Sequence, residues 1–475
     1  MHVSQIVVAL GLASQEDLHR ALEEQRRTGR RLREILVGMG VPAEGLGSML
    51  DRLPPAPRSV EGLGITRSIA RDVFLKAASL SLIYNLASAT RVLCVPSRVA
   101  SLLIDEARQQ KLIEFKASLT GDASFSLSGE GRVQAEAAFD TSGYIGPLPV
   151  SLEDYLHRLR LQSIRREKVT PSVVSEVFSD LILPPERLRE IGAAANSGRS
   201  ALLYGPPGNG KTSMAERMGR LFRSFVCVPH CFEVDGQIVK VFDSVVHRPL
   251  IDEAAEQAEP AAASIVAEDY DSRWVPCHRP FIFVGGELTE QMLELNFNSL
   301  TKYYEAPLQV KANNGVFLID DFGRQVVQPR VLLNRWIVPM DRGVDYLKMQ
   351  TGKSFSLPFD VLLLFSTNLE PDELMDQAFL RRIAHKVLVD GPPEDVYRSI
   401  FRSVLARNAL EMGEDVIDYA IARLRKAEVK LASFQPGFLA SQIRDLHSYL
   451  GADGIDGREA MDFALKNMLT GNPQA

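Results

Sequence analysis

Gly205-Pro206-Pro207-Gly208-Asn209-Gly210-Lys211-Thr212 is the stretch whose reading decides the fold. It satisfies the pattern G-x-x-x-x-G-K-[ST] at every fixed position. The apolar run Ala201–Tyr204 precedes it and a helical stretch, Ser213–Phe222, follows, which predicts strand, loop and helix in that order. In such a loop the glycines let the backbone curl until its N–H groups face phosphate oxygens, and the helix N-terminus adds a positive dipole end. The expected nucleotide-binding residues are Gly205, Pro206, Pro207, Gly208, Asn209, Gly210, Lys211, Thr212 and Ser213. Lys211 is expected to neutralise the β/γ-phosphates of ATP and Thr212 to ligate Mg²⁺.

Working outward, Val316-Phe317-Leu318-Ile319-Asp320-Asp321 reads as a buried strand that ends in two carboxylates. Such a strand sets one acid beside Mg²⁺, here Asp320, and a second near the attacking water, here Asp321. Phe365-Ser366-Thr367-Asn368 closes another strand with a carboxamide able to orient that water. Further on, Arg381 and Arg382 follow Asp376-Gln377-Ala378-Phe379-Leu380. A guanidinium placed there suits bidentate contact with a neighbouring subunit's phosphoryl group, and Arg382 is favoured of the two. The catalytic candidates are therefore Asp321, Asn368, Arg381 and Arg382, with Thr212 and Asp320 as metal ligands.

In this order the motifs resemble those of AAA+ ATPases, over residues 170–475. The resemblance implies an α/β domain with a P-loop parallel sheet at 171–390 and a helical lid at 391–475. It also implies ATP hydrolysis with Mg²⁺, a subunit ring of hexameric form, Asn368 as sensor 1 and an arginine finger at Arg381/Arg382. A hairpin at Asp345–Phe359, turning at Thr351-Gly352, resembles the members with a β-hairpin before sensor 1. The second acid is usually Glu in that family, and Asp321 is one methylene shorter. For sensor 2, Arg444 is one reading; Gly437, at the start of the relevant helix, is the other.

Across its 475 residues the chain is 45% hydrophobic and 24% charged, which excludes collagen-like, disordered and disulfide-scaffold classes. A net charge of −6 gives no global argument for nucleic acid or an anionic membrane. Four cysteines in so long a chain, and an N-terminus without a basic start, point to the cytoplasm, with any membrane link through a partner. Residues 1–53 read as short helices, 54–64 as a proline-rich linker, 65–150 as a winged-helix-like domain and 151–170 as a helical linker. Around Gly11, Leu18, Ala21-Leu22, Gln25, Arg31-Leu32, Ile35-Leu36 and Gly40, the N-terminal segment resembles the MshEN/GspE-N domains of type II secretion and type IV pilus ATPases. Ser4 and Arg33 stand where that motif has glycine, so a protein helix docked on Leu18, Leu22, Leu32 and Leu36 is expected rather than cyclic di-GMP. The candidate reading helix Ser97–Gln110 carries Asp105 and Glu106 against Arg98 and Arg108, which argues against DNA. Cys227, His230, Cys231 and Cys277-His278 match no usual zinc spacing and read as core. Phe297, Tyr303 and Tyr304 fit either a substrate-gripping loop or core packing. Residues 251–270 read as an exposed insertion.

The expected function is an ATP-driven protein that remodels or regulates a protein partner, accessory to a secretion or pilus system. The alternatives are a nucleotide-dependent regulator that reads DNA through the winged helix, and a slow ATP switch.

Overall fold

The computed structural model describes residues 3–30, 32–116, 124–251, 270–450 and 455–469. The expected insertion at 251–270 falls almost wholly outside them.

The chain opens with helices α1 (Val3–Ala9), α2 (Gln15–Thr28), α3 (Leu32–Gly38) and α4 (Ala43–Arg52). Ser14 caps α2 by accepting the Asp17 N–H at 3.1 Å. Next come α5 (Arg67–Ser79), α6 (Leu86–Leu93) and α7 (Ser97–Gln109), then an antiparallel pair, β1 (Ile113–Lys116) with β2 (Ser124–Leu127), and α8 (Gly129–Thr141). Strand β3 (Val150–Ser151), α9 (Leu152–Leu161), α10 (Pro171–Val177) and α11 (Pro185–Ser197) lead to β4 (Ser200–Tyr204) and α12 (Lys211–Gly219). Strands β5 (Phe225–Pro229), β6 (Cys231–Val234), β7 (Gln237–Lys240), β8 (Trp274–His278), β9 (Phe281–Val284), β10 (Asn296–Asn298), β11 (Tyr303–Glu305) and β12 (Val316–Ile319) follow. After α13 (Pro329–Arg342) come β13 (Val344–Lys348), β14 (Ser354–Pro358), β15 (Leu362–Thr367) and β16 (His385–Leu388). The chain closes with α14 (Glu394–Arg407), α15 (Glu414–Lys426), α16 (Gln435–Leu450) and α17 (Gly457–Leu469).

Five strands form one parallel sheet in the order β16-β4-β15-β12-β9. Both faces are covered, as a parallel sheet requires. The alternation along β12 and β15 divides the core in two. Phe317, Ile319, Leu363 and Phe365 pack with Trp336 on one face. Val316, Leu318, Leu362 and Leu364 pack with Ile191, Met214 and Met218 on the other. The four apolar runs that read as strands, Ala201–Tyr204, Phe281–Val284, Val316–Ile319 and Val361–Ser366, correspond to β4, β9, β12 and β15 of this sheet; β16 is the fifth. Because all five run the same way, the loops after β4, β12 and β15 gather at one edge, where open α/β sheets bind ligands. The lid helices α14–α17 close over their own core of Tyr397, Phe401, Ile417, Leu439 and Met461.

A second sheet, β10-β11-β7-β6-β3, lies outside the first. The two-residue turn Asp235-Gly236 between β6 and β7 has φ of 49° and 77°, as a tight hairpin of this kind demands. The hairpin expected before sensor 1 is present as β13–β14, with Tyr346 opposite Ser356.

The N-terminal segments differ from their reading as adaptor and linker. Ile6, Ile35, Leu36, Leu46 and Met49 share one core with Phe225, Phe232, Trp274, Tyr304 and Leu357. Of the four positions expected to dock a partner helix, Leu18 and Leu36 are buried and Leu32 packs against that core, which leaves Leu22 half-buried. The 54–64 stretch is anchored too: Pro54 accepts the Asp271 N–H at 2.8 Å, and Val60 and Leu63 are buried.

Candidate nucleotide site

Past Tyr204 the chain takes Gly205, Gly208 and Gly210 into positive φ (133°, 79° and 82°), a conformation other residues adopt only under strain. Gly210 is the cap of α12 and gives no side-chain bond, so the first N–H groups of that helix stay open to an anion. Lys211 folds back and donates to the carbonyls of Gly205 (2.9 Å) and Pro206 (2.8 Å). Burial pulls its pKa below the usual lysine value, while the carboxylates of Asp321 and Asp320 oppose that shift.

The acids arrive from the neighbouring strands. The Thr212 hydroxyl donates to both oxygens of Asp320, at 3.0 and 2.9 Å. This hydroxyl–carboxylate pair is a hard-oxygen donor set of the kind Mg²⁺ takes. The Asn368 amide donates to Asp321 Oδ1 at 3.0 Å. Their mutual position is fixed by cross-bonds between the strand ends. Phe322 donates its N–H to the Ser366 carbonyl (2.7 Å), and the Thr367 hydroxyl bonds the Phe322 carbonyl (2.8 Å).

The loop from Pro207 to Ser213 lines one side of a cavity of about 530 Å³, together with Asp320, Asp321 and Asn368. Its other walls were not read from sequence: the loop Asp180–Leu183, and Ile400, Val404, Arg407, Ser433 and Phe434 from the lid. Arg407 donates to the Asp180 carbonyl at 2.8 Å. Phe434 donates its N–H to the Gly208 carbonyl (2.9 Å), and Asn209 accepts the Ser433 N–H (3.1 Å), so the lid is bonded to the loop itself. The signal for Ser433 and Phe434 was their place just before the helix beginning at Gln435. The Asp180–Leu183 loop carried none.

With the sheet order and the motif ends both in place, the fold class follows. The α/β part is a P-loop fold on a five-stranded parallel sheet. A domain of unknown function (DUF8689) matches residues 393–467, which are the lid helices. No curated protein sequence matches the chain. Among solved structures, NtrX from Brucella abortus in complex with ADP aligns at 13% identity and TM-score 0.37, covering 60% of this chain and 56% of that one. A point mutant of RuvB from Thermotoga maritima aligns at 12% identity and TM-score 0.34, covering 66% and 75%. Domain III of the Thermotoga maritima replication initiation protein DnaA aligns at 13% and 0.34, covering 62% and 98%.

Three expected residues lie apart from this cavity. Arg381 and Arg382 border a different pocket with Ser200, at the opposite end of β4 from Gly205. Arg382 is tied down: its Nε meets the Asp341 carboxylate at 3.0 and 2.9 Å and its Nη1 donates to the Ala378 carbonyl at 2.7 Å. Arg444 is exposed, bonds Asn408 at 3.4 Å and does not line the nucleotide cavity.

Of the cysteine and aromatic groups, Cys227, Cys231, Cys277 and Tyr304 lie in the core, whereas His278 is exposed at the end of β8. Cys227 and Cys231 are buried in strands, and burial pushes both thiols up to about 12, so they stay protonated. Tyr304 is buried against Phe297, and its hydroxyl accepts the Gln350 N–H at 3.0 Å.

Proposed function

We propose that this chain binds ATP with Mg²⁺ and hydrolyses it as a self-associating ring that acts on a protein partner. One observation carries the reading: Thr212–Asp320 and Asp321–Asn368 converge as two bonded pairs on the same cavity as the P-loop. Loop N–H groups and Lys211 hold the phosphates, while Thr212 and Asp320 hold Mg²⁺, whose charge would offset that developing on the phosphates. Asp321, steadied by Asn368, takes the proton of the attacking water. Arg381 and Arg382 cannot serve their own subunit. Gly205 follows β4 and Ser200 begins it, five residues and roughly 16 Å apart at ~3.3 Å per residue. Of the two, Arg381 is the freer, being exposed with no ion pair among the described residues, whereas Asp341 holds Arg382.

The DNA reading is disfavoured by pairing on α7, where Arg108 lies 3.3 Å from Asp105 and Glu106 lies 3.7 Å from Arg67. A docking role at secretion or pilus machinery rests on residues 1–53, most of whose apolar positions serve the internal core, so the client is proposed as a protein without a named system. Among the described residues no single helix is long and apolar enough to cross a membrane.

Hydrolysis by the purified chain tests the proposal. Lys211→Ala is expected to abolish nucleotide binding, and Asp321→Asn to keep binding and lose turnover. A wild-type chain that binds no ATP at millimolar concentration would overturn it.

A further inference from the structure

The pocket that holds Arg381 and Arg382 has a volume of about 500 Å³ and carries two more arginines, Arg165 and Arg199. Four guanidiniums thus border one opening, in a chain whose net charge is −6. Their internal neutralisation is incomplete. Asp341 engages Arg382. Arg165 lies 3.8 Å from Asp360 Oδ1, but that carboxylate already accepts the Ser163 hydroxyl and the Ile164 N–H, each at 2.8 Å. Arg199 and Arg381 are exposed, and among the described residues neither guanidinium has a hydrogen bond or ion pair. The floor is apolar, with Phe359, Val361 and Leu363, so charge here is screened less than on an open surface. Planar forks converging on one opening select a compact anion with several oxygens.

We infer that Arg165 and Arg199 join the Arg381/Arg382 pair in binding the terminal phosphoryl oxygens of a nucleotide held on the P-loop of a second copy of this chain. The inference rests on the ring reading above and adds to it two residues from outside the finger motif. A second copy is the fitting source of that phosphate. The pocket lies at the N-terminal end of β4 and the nucleotide cavity at its C-terminal end, so copies packed head to tail bring one opening against the other. Arg165 comes from the 3-10 turn Ile164–Arg166, beside the bonds that Asp360 makes at the base of β15. The arginine pocket is thereby attached to the strand that leads into Asn368.

The test uses full-length protein. In the Arg165→Ala/Arg199→Ala variant, the affinity of a fluorescent ATP analogue is expected to stay within about twofold while turnover drops at least about tenfold. Mixing it with Lys211→Ala protomers, which lack a working P-loop but keep the arginines, is expected to restore hydrolysis. Arg199→Lys, which keeps the charge without the fork, recovers only part. If the double variant turns over like wild type while Arg381→Ala is inactive, the inference fails and the ring reading stands. If wild-type turnover per subunit is independent of protein concentration and sedimentation shows a monomer, both fail. Pyrophosphate binding to the Lys211→Ala chain that disappears on adding Arg199→Ala would mark a site for a free polyphosphate and overturn the second-copy assignment.

Discussion

Asp321 sits at φ 47° and reaches Asn368, so its short side chain is held by backbone geometry and by an amide at once. A glutamate would extend the carboxylate one methylene further toward the γ-phosphate. Asp321→Glu is expected to accelerate single-turnover hydrolysis if the native residue sets a slow switch. Asp321→Asn is expected to slow it by about 10²-fold or more, with nucleotide binding intact. Gly208 offers a second test at this scale. A Cβ there would lie 2.3 Å from Phe434 Cδ1, and φ is 79°. Gly208→Ala is expected to weaken ATP binding by about tenfold or more in a titration. Adding Phe434→Ala restores only part of that loss, because it removes the ring clash and leaves the backbone strain.

At the scale of elements, a buried polar hub joins the bases of β12 and β15 to the N-terminal helices. Arg279 donates to the carbonyls of Gln162 (2.9 Å) and Asn314 (2.5 Å) and to Glu167 (2.8 Å), while Arg52 of α4 reaches the same carboxylate at 3.1 Å. Burial alone would raise the Glu167 pKa, but Arg279, Ser224 and Arg52 hold it below the usual glutamate value. Glu167→Gln deprives the buried Arg279 guanidinium of its bonded counter-charge, leaving only the more distant Asp360, and is expected to cost about 3–5 kcal/mol, read by chemical denaturation. None of this hub was legible in the sequence, since its members come from separate segments, with Arg52 115 residues from Glu167 and Arg279 112 from it, and are ordinary surface types. The strands β4, β12 and β15 were legible because both their faces are buried, so they read as unbroken apolar runs, and β9 reads the same way although Phe283 is exposed on this sheet edge. β16 was not, because His385 and Lys386 break the run on a sheet edge. Of the second sheet only the hairpin around Val234-Asp235-Gly236-Gln237 could be read, because its strands are three or four residues long apart from the two-residue β3, too short for a period to show. The site divides in the same way: the P-loop, both acids and Asn368 follow strands and could be read, whereas Asp180–Leu183, Arg407 and Phe434 enter by tertiary packing.

For the whole molecule, acid stability follows from two buried imidazoles. Burial depresses His230 and His247 from 6.5 to about 4; Lys240 adds to the shift at His230, and the Lys311 carbonyl opposes it at His247. Between those values the unfolded chain binds more protons than the folded one, so stability is present above pH 6.5 and is lost as pH falls toward 4. Melting temperature is expected to drop across that window, and less steeply for His247→Gln. A larger consequence concerns residues 1–53. Their apolar side chains share a core with β5, β6, β8, β11 and β14, and Arg52 adds polar ties: its carbonyl accepts from Arg158 at 2.6 Å and its guanidinium donates to the Phe225 carbonyl at 3.3 Å. A detachable adaptor would melt separately and leave the remainder intact when removed. This chain is expected instead to show one cooperative transition through its N-terminal and central parts. A chain beginning after residue 53 strips Ile6, Ile35, Leu36, Leu46 and Met49 from the core they share with Phe225 and Trp274, and at about 25 cal/mol per Å² of apolar surface such a loss consumes much of a domain's net stability. Scanning calorimetry of full-length and truncated protein decides between the two. A truncated chain that keeps the full-length melting temperature and ATP affinity would show residues 1–53 to be an appended module.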